Sequence, residues 1–193
     1  MPKDHELPTF EFATQADFEA WLEANHATAP GVWIRIARAA SGIPSIKPAE
    51  GIEACLCFGW IDGKRVGGDE RTFLQRYTPR RARSNWSKIN RAWAERLIAE
   101  GRMHPAGLAE VRRAQEDGRW DAAYDSPANV TVPDDLRAAL DAEPRAAEEF
   151  TKLNATNRYA VLYQVHDAKR PETRARRIEK FVAMLARGER LYP

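Results

Sequence analysis

"TFLQRYTPRRARSNWSKIN", residues 72–90, holds the point at which one kind of structure gives way to another. Its first half alternates. Phe73 and Tyr77 fall on one side of an extended chain and Leu74, Arg76 and Thr78 on the other, the two-residue period of a strand. Pro79 has no N–H to give a sheet and closes that pattern. Beyond it Trp86, Ile89, Trp93 and Leu97 recur at helical spacing, with Ser84 as the expected cap and an end near Gly101. The strands therefore stop at residue 79, and only helices are expected after it. The fold class is α+β, a small antiparallel sheet with helices followed by an all-helical C-terminal segment.

Toward the N-terminus, "VWIRIA" (32–37) alternates in the same way, with Val32, Ile34 and Ile36 on one face and Trp33 and Arg35 on the other. Thr14 and Asp17 have the spacing of a capping box, and Phe18, Trp21 and Leu22 follow it, so a helix is expected over 14–25. A second helix is expected over Ala49–Phe58. In "GWIDGKRV" the Asp62-Gly63 pair suits a tight hairpin turn. Toward the C-terminus, a helix around Leu108 and Val111 ends near Gly118. Pro133, Pro144 and Pro171 each suit the first turn of a helix, giving helices over 134–141, 145–153, 156–168 and 172–187. The expected organisation is a tail over 1–9, an α+β domain with trailing helices over 10–132, and a helical segment over 133–193, all packed as one compact unit.

With 193 residues, 44% hydrophobic and 30% charged, the chain has a globular composition. The apolar run "ACLCFGWI" is far too short to cross a bilayer. "MPKDHELPTF" has prolines and charges where a secretory signal needs an apolar segment, so a cytoplasmic location is expected. Cys55 and Cys57 lie one residue apart and read as reduced, buried thiols. His5, His26, His104 and His166 are scattered, so neither a metal nor a cofactor is expected. His166 shares a helix face with Tyr159, Leu162 and Tyr163, which reads as a hydrogen-bonded core histidine. No nucleophile elbow, phosphate loop or dinucleotide fingerprint is present. An enzyme would have to gather Asp62, His166 and an arginine in a pocket, and the expectation is a non-catalytic protein.

The net charge of +2 is unevenly spread: Arg71–Ala94 holds seven basic residues and no acidic one. Trp86 and Trp93 fall on the apolar stripe, while Lys88 and Arg91 fall opposite, with Glu95 one turn on to pair with Arg91. Arg80, Arg81 and Arg83 occupy the strand-to-helix connection, where free N–H groups favour an anion. Trp33, Arg35, Leu74 and Arg76 share the second face of the sheet. That face either stacks nucleotides or is covered, with its arginines paired. Near the other end, Lys169, Arg170 and Arg174 crowd a helix start, and Arg174 projects toward the buried side. It needs either a carboxylate of the fold or a bound anion.

"CFGWIDG", "RYTPRRARSNWSKIN", "GRMHPAGL", "DGRW" and "AKRPETRARRI", in this order, resemble the YdeI family, also called OmpD-associated (OmdA) or bacteriocin-protection proteins. The resemblance runs from about Phe10 to Gly188. It implies an N-terminal part similar to the YjbR/CyaY-like superfamily, a helical OmdA segment from about Pro133, and a link with tolerance of bacteriocins and cationic antimicrobial peptides. It carries over no reaction, ligand or catalytic residue. The chain departs from the pattern at "RAASGIPSIKPAEG", where Pro48 stands in place of an aromatic residue.

The expected function is thus a cytoplasmic module binding an anionic small molecule or an acidic protein partner, through Trp60, Arg76, Arg80 and Arg83 and through Lys169, Arg170 and Arg174. The alternative is nucleic-acid binding through Trp33, Arg35, Arg76, Arg80, Arg81 and Arg83.

Overall fold

The computed structural model describes residues 6–193. The chain divides into two compact units, Met1–Ala123 and Tyr124–Pro193.

The first unit is built on a four-stranded sheet of β1 (Thr9–Phe10), β2 (Val32–Ala37), β3 (Trp60–Gly67) and β4 (Thr72–Pro79), in the order β1-β2-β4-β3. Its helices are α1 (Gln15–Asn25), α2 (Pro48–Cys57), α3 (Lys88–Ala99) and α4 (Pro105–Glu116). β2, β4 and β3 pair antiparallel as expected, but β1 runs parallel to β2, so the sheet is mixed. Two residues are too few for an alternating pattern to announce β1.

The register sorts the side chains as the alternation requires. Val32 lies opposite Tyr77 and Ile36 opposite Phe73, while Trp33 lies opposite Arg76 and Arg35 opposite Leu74. The first set belongs to the core, with Val32, Ile34, Ile36 and Tyr77 all 0% exposed. Phe18 of α1 packs on Tyr77 with ring centroids 5.6 Å apart. Gly51 of α2 sits so close to the Tyr77 phenol that a Cβ there would fall 2.4 Å from its oxygen. Burying each large apolar side chain in this layer stabilises the unit by about 1.5–3 kcal/mol.

Three local expectations change. Asp62-Gly63 is not a hairpin turn: β3 runs through it with a bulge between Asp62 and Arg65. The buried amide of Gln75 holds that bulge, donating to the Gly63 carbonyl at 2.9 Å. The turn falls at Gly68–Arg71, where the Asp69 carboxylate accepts from the N–H groups of Arg71 and Thr72. Ser84 does not cap α3. Its hydroxyl accepts from Arg81 N–H at 3.0 Å and closes a turn, and Ser87 caps the helix three residues later by accepting from Asn90 N–H. Within the helix Ile89 is 45% exposed while Ala94 and Leu97 are buried. Trp86 precedes the helix and is buried, with its ring 4.9 Å from that of Trp120.

The second unit is α5 (Asp134–Asp141), α6 (Pro144–Thr151), α7 (Ala155–His166) and α8 (Pro171–Ala186). Pro144 and Pro171 occupy first-turn positions, and Pro133 is the N-cap of α5. Leu136, Phe150, Leu162, Phe181 and Leu185 form its separate core. His166 is not in it. The residue is exposed, and its Nε2 lies 3.2 Å from the Thr131 carbonyl. As the last residue of α7 it escapes the packing of Leu162 one turn earlier.

Candidate functional site

The β4–α3 connection places Arg80 and its neighbours in different settings. Arg80 N–H donates to the Gly59 carbonyl at 3.0 Å, which ties the end of β4 to the α2–β3 turn. Its side chain is 6% exposed, and the guanidinium lies over the Trp86 ring with Cζ 3.7 Å from the centroid. It also donates to the Asn85 carbonyl at 3.3 Å. A guanidinium tolerates such a site because its flat, weakly hydrated face is satisfied by a π-system. Arg81 and Arg83 stay outside. The turn closed by Ser84 keeps both exposed, and neither side chain makes an ion pair among the described residues.

Arg80 lines a pocket of about 240 Å³, with His26, Phe58, Trp60, Pro79 and Glu110 among its walls. Trp60 is 1% exposed, and its indole N–H donates to the His26 carbonyl at 3.1 Å. The rings of His26 and His104 meet edge-on at 4.6 Å, and Phe58 stacks on His104. His104 Nδ1 accepts from Ala106 N–H and so caps α4. The far wall is α4, whose Glu110 pairs with Arg113.

Two glycines allow α4 to come this close. Gly59, at φ +73°, faces the Ala106 carbonyl, and a Cβ on Gly107 would fall 2.2 Å from the Cys57 carbonyl oxygen.

Behind the pocket, Cys55, Asp62 and Tyr77 sit within electrostatic reach of one another. Burial pushes the Asp62 carboxyl above its ordinary range, the nearby Arg80 charge opposing it. Burial likewise raises the Tyr77 phenol and the Cys55 thiol, and pushes Cys57 up to about 11. Both thiols are therefore protonated at neutral pH and are not nucleophiles there. Among the described residues, no group of three His, Cys, Asp or Glu could hold a metal ion. His5 lies outside the described residues.

The structure places Trp60 and Arg80 on one pocket. Arg76 projects on the second sheet face, its guanidinium so near Gly63 that a Cβ there would meet it at 3.2 Å. On that face Trp33 is only 8% exposed, and Arg35 pairs with Glu11 at 3.0 Å. In the second unit, Lys169 and Arg170 are exposed just before α8. Arg174 has a carboxylate of the fold: Asp135 accepts from its guanidinium at 2.5 and 2.8 Å, and Arg174 also donates to the Val165 carbonyl. Arg91 pairs with Glu95 at 3.4 Å.

One basic cluster escaped the sequence reading. Arg65 and Arg38 both lie over the Phe73 ring, at 4.4 and 5.9 Å, and Arg71 donates to the Ser41 carbonyl. The β2–β4–β3 register gathers them, and their separation in sequence gave no signal of it.

A small mixed sheet faced by helices, with a pocket at its strand-to-helix connection and a separate unit of four helices, defines an α+β protein of two units. Residues 10–110, just over half of the chain, match the model of a family described as a domain of unknown function, DUF8412, and the chain belongs to that family. Residues 129–188 match the model described as "Bacteriocin-protection, YdeI or OmpD-Associated", OmdA. The YdeI/OmdA likeness thus holds for the C-terminal part, and the N-terminal part carries the other family's model. No curated protein and no solved structure matches the chain. Among the described residues no helix is long and apolar enough to cross a membrane.

Proposed function

We propose that this protein is a non-catalytic module that binds a small, multiply charged anion at the pocket beside the β4–α3 connection, and that this binding serves the protection from bacteriocins named in the OmdA description. The observation that carries the reading is the set of three arginines at that point: Arg80 fixed on Trp86 in the pocket wall, with Arg81 and Arg83 exposed and unmatched by carboxylates. Guanidinium groups recognise carboxylate or phosphate oxygens in pairs. Kinship of the first unit with the YjbR/CyaY-like superfamily belongs to the same proposal, supported by its small sheet faced by helices. The nucleic-acid reading ranks second, because its sheet-face form needs Trp33 as a stacking surface and Trp33 is buried.

The test is a thermal-shift titration with inorganic phosphate, pyrophosphate and citrate at constant ionic strength. A ligand present at 100 times its Kd stabilises the unit by about 2.7 kcal/mol. The expected result is a higher midpoint with at least one anion, reduced in Arg81→Gln/Arg83→Gln and kept in Arg65→Gln/Arg71→Gln. No shift with any of the three anions, or loss only in the second variant, overturns the assignment. Salt-sensitive binding of an oligonucleotide without anion binding would favour the second reading.

A further inference from the structure

The second unit carries a groove that the anion reading does not use. It lies between α5 and α8 and holds about 740 Å³. Its floor is the edge of a broad apolar stripe on α8. Phe181 and Leu185 point into the core and are 0% exposed. Ile178, Val182 and Ala186 belong to that core or pack against it and also line the groove, joined there by Ala175 and Ala183. Ala175 and Ala183 are exposed, so the apolar stripe of α8 runs on past the core to the groove. The small alanines on α8, with Ala139 and Ala142 on the opposite wall, let another backbone come close.

The rim carries charge. Asp135, Glu143 and Glu179 border the groove, against Arg174 alone. Asp135 and Arg174 neutralise each other. Glu143 and Glu179 make no ion pair among the described residues, so the open rim is negative.

We infer that this groove docks a cationic amphipathic helix of about three turns, its apolar face on the alanine floor and its lysines or arginines on Glu143 and Glu179. The length follows from the floor, since Ala175 to Ala186 spans about 16 Å at 1.5 Å per residue. The mode is helix-in-groove recognition, with anchors at i, i+3, i+4 and i+7. The carboxylates choose the sign of the partner and speed its approach, while the floor holds it.

The experiment uses the full chain and a fluorescein-labelled 18-residue helix of leucine and lysine, with a leucine and glutamate peptide of the same pattern as control. Anisotropy should show saturable binding of the lysine peptide and none of the glutamate peptide. Glu143→Gln/Glu179→Gln should weaken the lysine peptide by about tenfold, the worth of two charge-assisted contacts at a rim. Ala183→Lys, at an exposed position the fold tolerates, should abolish binding by filling and charging the groove. Equal binding of both peptides, or no effect of either variant, overturns the proposal. So does a concentration-dependent dimer of the chain alone that Ala183→Lys dissolves, because a second copy would then be the occupant.

Discussion

Gly107→Ala reverses the sign that helix propensity alone would give. Gly107 lies inside α4, where alanine is favoured over glycine by about 1 kcal/mol. In this fold the added methyl would sit 2.2 Å from the Cys57 carbonyl oxygen and 2.6 Å from that of Leu56. Both are backbone atoms that cannot rotate away. Ordinary contact begins at 3.4 Å, so α4 has to withdraw by about an ångström, the sort of overpacking that costs about 1–3 kcal/mol. The withdrawal also strains the hydrogen bond from His104 N–H to the Cys57 carbonyl, now 3.1 Å long. The expected net effect is a loss of about 2 kcal/mol, or roughly 4–8 °C in Tm for a chain of this size. Urea unfolding followed by tryptophan fluorescence isolates the effect, because all six tryptophans lie between Trp21 and Trp120 in the first unit. The same displacement moves Ala106 and Glu110, so anion affinity should fall with stability. A variant as stable as the parent, or more so, would refute the close packing of α4 on α2 and with it the pocket wall.

Two further outcomes follow from the placement of charge. The Cys57 thiol is raised by burial to about 11, so the folded state keeps a proton that the unfolded chain releases near pH 9. That contribution is complete below pH ~9 and is lost as pH rises toward 11; Cys57→Ala should flatten the alkaline limb of a stability profile, and an unchanged limb would refute it. In the second unit, the Arg174 guanidinium holds the Asp135 carboxyl below its ordinary range. Stability from the pair is present above pH ~4 and lost as acid protonates the carboxylate. Arg174→Met should cost about 1 kcal/mol, modest because Asp135 is half exposed, and should remove that acid dependence from the second unit's calorimetric transition. An acid limb that persists in the variant would assign it to other carboxylates.

Where local chemistry decided the structure, the sequence was readable. Thr14 and Asp17 form the capping box their spacing announces, the alternation of residues 72–79 sets the sheet faces, and the prolines mark where α6 and α8 begin. Misreadings arose where a distant group outbid a local signal. Asp62-Gly63 has the chemistry of a turn, but the Gln75 amide, reaching across from β4, holds it as a bulge. Ser84 and Ser87 are both competent caps, and the turn at Arg81 claims the first. The site was half legible. Arg80, Arg81 and Arg83 could be singled out because basic residues at a connection are conspicuous. The pocket walls could not, since His26 and Glu110 reach Trp60 only through tertiary packing. Arg174 showed its need for a carboxylate, but nothing in the spacing pointed to Asp135, 39 residues away.

Whether and where an anion binds can be read from the six indole N–H resonances in a ¹H–¹⁵N spectrum titrated with pyrophosphate. The Trp60 indole donates to the His26 carbonyl, and both residues line the pocket. Occupation of that pocket should shift the Trp60 indole and the Gly59 amide in step with binding, leaving Gly67 and Phe73 beside the second arginine cluster unmoved. A saturable titration that shifts Phe73 and its neighbours while Trp60 stays still would contradict the account and move the anion to Arg38, Arg65 and Arg71.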